Sequence, residues 1–160
     1  MFHEFILAFL SGALVKIVDE LDDRKNKVVY LFALVYGAAI GYIISSSSFS
    51  MLFLGALLAQ LIAKKIDKPS HTVGFLFAIC SMVYLGLPRF EFLNLGIFLV
   101  LAFLDEQVFR KPLAALNSLS HYRAFLKIGA LFFALFGRVD YLIAILLFDG
   151  AYLIIDRASK

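Results

Sequence analysis

Residues 28–46 read VVYLFALVYGAAIGYIISS and contain neither a charged side chain nor a proline. A helix needs about 20 predominantly apolar residues to cross the ~30 Å hydrocarbon core of a bilayer. A run of this length without charge therefore predicts a transmembrane helix. It also contains the spacing Gly37-Ala-Ala-Ile-Gly41, which lets two helix backbones approach closely.

Further apolar stretches occur on both sides of this run, and together they lie at 5–20, 28–46, 51–64, 71–88, 92–109, 122–137 and 139–157. Hydrophobic residues make up 62% of the 160 positions, against about 45–50% in soluble domains. We expect an all-α, polytopic transmembrane helical bundle with about seven spans, formed by residues 1–160 as a single transmembrane domain. The first, third and sixth stretches are short, so one could be re-entrant and six spans remain an alternative.

The basic residues predict the orientation of the bundle. If the seven stretches cross alternately, one side receives twelve basic residues and the other side receives only Arg89 and Arg138. Cytoplasmic loops carry the excess of Lys and Arg. We therefore expect a multi-pass protein of the cell membrane with its N-terminus outside and its C-terminus cytoplasmic. The formal net charge is only +3 despite a pI near 9.0, so the basic residues do not indicate nucleic-acid binding.

Acidic residues gather where the odd-numbered stretches reach the cytoplasmic side. Asp19, Asp22 and Asp23 stand at i, i+3 and i+4, which places them on one face of a helix. Carboxylates this close repel one another, and a divalent cation such as Mg²⁺ would relieve the repulsion. We predict a magnesium site with catalytic roles for these three residues, and the further ligands that the sequence suggests are Asp67, Asp105 and Glu106. The alternative is a solvated helix end in which nearby basic residues balance the acids.

Basic side chains near these acids could hold the phosphate oxygens of a ligand. The candidates for this cofactor-binding role are Lys25, Lys64, Arg110 and Lys127. Membrane lipid is one expected partner, and a small ion or a phosphorylated lipid is another.

Asp149 lies about ten residues into the last stretch, or ~15 Å at the helical rise of 1.5 Å per residue. An ionisable group near the bilayer centre is costly unless it is paired or hydrated, so Asp149 is expected to face the bundle interior. One interpretation gives Asp149 a catalytic or ion-carrying role. The other is an ion pair with Lys16 or Lys127 that fixes helix register.

Three functional hypotheses follow from these residues. The first is a Mg²⁺-dependent enzyme acting on a phosphorylated lipid or isoprenoid at the cytoplasmic leaflet. The second is a cation- or proton-coupled transporter or channel, with Asp149, Asp105 and Glu106 on its path. The third is a non-catalytic assembly or packing partner with structural buried charges. The Gly37/Gly41 pair is open to two interpretations, ordinary bundle packing and a homodimer contact.

Overall fold

The computed structural model describes residues 2–108 and 123–159. These residues form seven helices and no strand: α1 (Phe2–Asp23), α2 (Val29–Ser46), α3 (Ser50–Ile62), α4 (Pro69–Leu85), α5 (Phe92–Val108), α6 (Ala124–Leu135) and α7 (Val139–Ala158). The prediction of an all-α bundle is confirmed, and each helix overlaps one of the seven apolar stretches.

Successive helices run in opposite directions. Two contacts between helices that run in the same direction are consistent with this arrangement. Lys16 of α1 and Asp156 of α7 form an ion pair at 2.8 Å, and Tyr36 of α2 contacts His71 of α4. Helices α1, α3, α5 and α7 therefore end where α2, α4 and α6 begin. We call this the basic end, because the predicted cytoplasmic Lys and Arg residues that the structure describes lie there.

Helices α2 and α4 pack closely because glycines face each other between them. A Cβ atom added at Gly37 would lie 2.4 Å from the backbone oxygen of Gly74, and one added at Gly41 would lie 2.5 Å from the backbone oxygen of Ala78. Both glycines thus serve packing within one chain. A homodimer through them stays a prediction, and it would have to displace α4.

Helix α3 is the innermost helix, with every residue from Ser50 to Gly55 buried. Its aromatic side chains join a column of rings along the bundle interior. Phe53 lies 5.6 Å from Phe148 and 5.9 Å from Phe49, whose ring stacks on Phe5 at 5.1 Å, measured between ring centroids. This column fills the half of the bundle away from the basic end.

Helix α6 begins inside the bundle, and a carboxylate from another helix caps it. The Asp105 side chain accepts hydrogen bonds from the backbone N–H groups of Phe125 at 3.0 Å and Leu126 at 2.9 Å. The first N–H groups of a helix have no partner within the helix, and an acidic side chain suits the positive end of its dipole. Asp105 is only 2% exposed, so it holds α6 against α5.

Within the described residues, one helix is both long and apolar enough to cross a membrane, namely α2. Helices α3, α4 and α6 are apolar but shorter. Helices α1 and α7 are longer, with 22 and 20 residues, but each includes several charged residues. A single such helix is weak evidence, because a buried core helix can meet the same criteria.

Candidate ligand-binding cavity

A cavity of about 340 Å³ lies between the helices and reaches the basic end. Small-molecule sites typically measure about 300–1,000 Å³. Ten polar residues surround it toward the basic end, and we call them the polar ring: Asp19, Tyr36, Gln60, Lys65, Asp67, Lys68, His71, Glu106, Arg123 and Tyr152. Nearer the bundle centre the lining is apolar, and we call it the apolar floor: Val15, Ile40, Leu52, Phe53, Ala56, Leu57, Phe75, Ile145 and Phe148.

Four residues of the polar ring form a chain of hydrogen bonds across four helices. Asp19 of α1 lies 2.9 Å from His71 Nε2 through one carboxylate oxygen and accepts from the Tyr152 hydroxyl at 3.1 Å through the other. The Tyr36 hydroxyl lies 3.4 Å from His71 Nδ1. An ionised carboxylate only accepts hydrogen bonds, so His71 Nε2–H is the donor in its bond to Asp19. These hydrogen bonds hold α1, α2, α4 and α7 together around the cavity.

The start of α4 explains why the acids of α1 gather here. Pro69 occupies the first turn of α4, a position that tolerates a missing N–H group. The next residue, Ser70, donates a hydrogen bond to Asp22 at 2.7 Å, and Lys68 donates one to Asp23 at 2.7 Å. The hydrogen bond from Lys68 lowers the pKa of Asp23, and the same bond raises the pKa of Lys68.

The acids predicted as magnesium ligands fall into two groups. Asp19, Asp67 and Glu106 line the cavity. Asp22, Asp23 and Asp105 do not: the first two are held by Ser70 and Lys68, and Asp105 caps α6. Among the described residues, no three His, Cys, Asp or Glu side chains converge as a metal site requires. The face shared by Asp19, Asp22 and Asp23 is thus occupied by partners from α4 and α7.

The basic residues predicted to hold phosphate are placed mostly away from the cavity. Lys25 and Lys64 are exposed in loops, each with a left-handed backbone (φ 53° in both). Lys127 is directed to Asp149, and Arg110 lies outside the described residues. The cations that line the cavity are Lys65, Lys68 and Arg123.

Asp149 is buried on α7 and forms two ion pairs. Its carboxylate lies 2.8 Å from Lys127 Nζ and 3.3 Å from Arg123 Nη1. The structure therefore shows the ion pair with Lys127 that the sequence offered as one interpretation. Lys16 pairs instead with Glu20 and Asp156, each at 2.8 Å. Asp149 does not line the cavity.

Sequence reasoning did not identify Tyr36, His71 or Tyr152 as site residues. Each carries a polar group in or beside a predicted span, and polar residues in membrane spans are often functional. Their convergence depends on which helices are neighbours, and that information is not contained in any one stretch. Pro69 starts α4 two residues before His71 and so sets His71 in the first turn of that helix.

No family model matches this chain, and no significant match was found among the curated proteins or the solved structures.

Proposed function

We propose that this chain is a multi-pass membrane protein whose cavity opens at the cytoplasmic face and binds a phosphorylated lipid or isoprenoid. The observation that carries the proposal is the cavity itself, which joins a charged polar ring to an apolar floor. An amphiphile with an anionic head group matches both parts.

Membrane residence is supported by the outer surface of the bundle. Large apolar side chains are exposed on the outside of several helices, including Leu31 on α2 (62%), Leu76 on α4 (55%) and Phe132 on α6 (55%). Soluble proteins rarely expose apolar patches larger than a few hundred Å². In lipid, the exposure of these apolar side chains carries no hydrophobic penalty. In this arrangement the basic end faces the cytoplasm.

Binding of a phosphate group is supported by Lys65, which lines the cavity. Lys65 Nζ and the Glu106 carboxylate are 3.6 Å apart, and Lys65 is 37% exposed. A phosphate group forms stronger, charge-assisted hydrogen bonds and can displace Glu106. Lys68 and Arg123 lie in the same ring and add positive charge.

Magnesium belongs to the proposal through the acids of the polar ring, which do not converge on a metal site by themselves among the described residues, so the ion would need the phosphate of the ligand as well. Asp19, Asp67 and Glu106 supply the oxygen ligands that Mg²⁺ prefers, and Mg²⁺ is commonly held by one or two carboxylates together with substrate phosphates. These acids come from α1, the α3–α4 loop and α5. A bound phosphate would thus complete the ligand set, and the metal would stabilise charge that develops on the phosphate oxygens.

The alternative of a transporter receives less support from the contacts of Asp149. A carrier group needs to gain and lose a proton or ion, whereas Asp149 is held by Lys127 and Arg123. These pairs favour a structural role for this residue.

The test is ligand binding to the chain in nanodiscs of zwitterionic phosphatidylcholine, with octyl phosphate as the probe and octanol as the control without phosphate. We expect octyl phosphate to raise the melting temperature saturably and octanol not to do so. Replacing Lys65→Gln together with Lys68→Gln should weaken octyl phosphate binding about tenfold, which corresponds to ~1.4 kcal/mol.

A matched control removes the same charge outside the cavity, through Lys25→Gln together with Lys64→Gln. This control should bind octyl phosphate as the wild type does. Equal weakening in both double variants would contradict a cavity site and indicate attraction to the basic surface.

Mg²⁺ should tighten binding, and Asp67→Asn with Glu106→Gln should remove that effect. No effect of Mg²⁺ on the wild type would reject the metal.

A further inference from the structure

The apolar floor is closed at its deep end. The rings of Phe53 and Phe148 meet edge to face with centroids 5.6 Å apart, and Phe49, which is fully buried, follows directly behind Phe53. On the adjoining wall, α1 lies so close to α7 that a Cβ atom added at Gly12 would stand 2.0 Å from the backbone oxygen of Phe148. Beyond these rings the lining goes on only to Leu52 on α3 and Ile145 on α7, within about one helical turn, so a ligand tail that reaches this level has little further room along the bundle.

The floor is also shallow compared with a lipid tail. On α3 the apolar lining extends from Leu57 to Leu52, five residues, or ~8 Å at the helical rise. One leaflet of a bilayer contributes about half of the ~30 Å hydrocarbon thickness, which is ~15 Å. The apolar part of the cavity is therefore about half as deep as an ordinary bilayer lipid chain is long.

We propose that the cavity selects phosphorylated amphiphiles by tail length, accepting an apolar tail of about octyl or geranyl length, and that Phe53 sets the limit. This inference rests on the proposed function, because it assumes that the head group lies at the polar ring. The phosphate fixes one end of the ligand near Lys65 and Lys68, and the Phe53 ring meets the other end. A longer tail has to bend or leave its terminal methylenes without contacts.

Two substitutions on one wall of the cavity change its depth in opposite directions. Phe53→Leu shortens the side chain that closes the deep end and opens space toward Phe49. Ala56 lines the same wall about one turn nearer the polar ring. Ala56→Leu adds a side chain there and makes the cavity shallower. Both changes keep the lining apolar.

The experiment measures the affinity for butyl, octyl, dodecyl and hexadecyl phosphate in the same phosphatidylcholine nanodiscs. The affinity of each variant is divided by that of the wild type at the same tail length, which cancels partitioning of the probe into lipid. A single methylene in an apolar pocket changes selectivity by tenfold or more. We expect Phe53→Leu to raise the dodecyl-to-octyl ratio by about tenfold, and Ala56→Leu to weaken octyl while sparing butyl phosphate.

Phe132→Ala is the matched control, because it removes an aromatic side chain from the outer surface of α6. It should leave the ratios at all four lengths unchanged. If the wild type binds the probes but neither cavity variant shifts the length preference, the inference is wrong and the proposed function stands. If the wild type binds none of the probes, the proposed function itself fails.

Discussion

Asp149 shows how a single charged residue is accommodated in the middle of an apolar helix. Two cations from the start of α6, Arg123 and Lys127, contact its carboxylate, and the Arg123 guanidinium also lies 4.9 Å from the centre of the Phe148 ring. Its depth was predictable from its position in the sequence. Its choice of partner was not, because the pairing depends on where α6 begins, and that point is set by the cap from Asp105.

Asp149→Asn should destabilise the bundle strongly. Removing one partner of a buried ion pair leaves the other charge uncompensated, which costs about 3–5 kcal/mol. Combining Asp149→Asn with Lys127→Met removes a charge of each sign, so the double variant should be more stable than Asp149→Asn alone. Thermal unfolding in detergent, with each variant at the same pH and salt, measures both. An Asp149→Asn protein as stable as the wild type would contradict the structural role.

Helices α2 and α4 pack closely through their glycines, and the stability of this pair should depend on the size of one side chain. In Gly41→Val, the added Cβ atom would meet the backbone oxygen of Ala78 at 2.5 Å and the Cβ of Ser81 at 2.6 Å. Overpacking of this kind costs about 1–3 kcal/mol, and we expect a correspondingly lower melting temperature.

Gly96→Ala is the control for that experiment, because a Cβ atom at Gly96 would meet nothing within 4 Å. Alanine is favoured over glycine inside a helix by about 0.5–1 kcal/mol, so this variant should be as stable as the wild type or slightly more so. If Gly41→Val is equally well tolerated, α2 and α4 do not pack as described.

The sequence predicted the individual helices well, but it did not predict which helices are neighbours. The apolar runs predict the bounds of α2 (29–46) and α7 (139–158) to within one residue. The pairing of α1 with α7 joins residues more than 130 positions apart, as in the contact of Tyr152 with Asp19. The three acids on one face of α1 suggested a metal site because the sequence of α1 does not show its distant partners. Those partners come from the start of α4 and from α7.

Membrane residence of the whole bundle is inferred from its apolar outer surface, and its orientation is inferred from the separation of charge between the two ends. Basic residues surround the cavity end. At the opposite end Arg138 is tied to Asp140 at 3.3 Å and to the backbone oxygen of Ser48 at 2.7 Å. We therefore expect several helices to cross the membrane, with the cavity on the cytoplasmic side.

Cysteine labelling in intact cells that express the chain tests whether the helices cross the membrane and which end of the bundle is cytoplasmic. In a Cys80→Ser background, one cysteine is introduced at Asn26→Cys, in the loop between α1 and α2, or at Arg89→Cys, in the loop between α4 and α5. Both positions are exposed. We predict that a membrane-impermeant maleimide labels the Arg89→Cys protein in intact cells and labels the Asn26→Cys protein only after permeabilisation. Labelling of Asn26→Cys in intact cells, or recovery of the chain in the soluble fraction, would contradict the account.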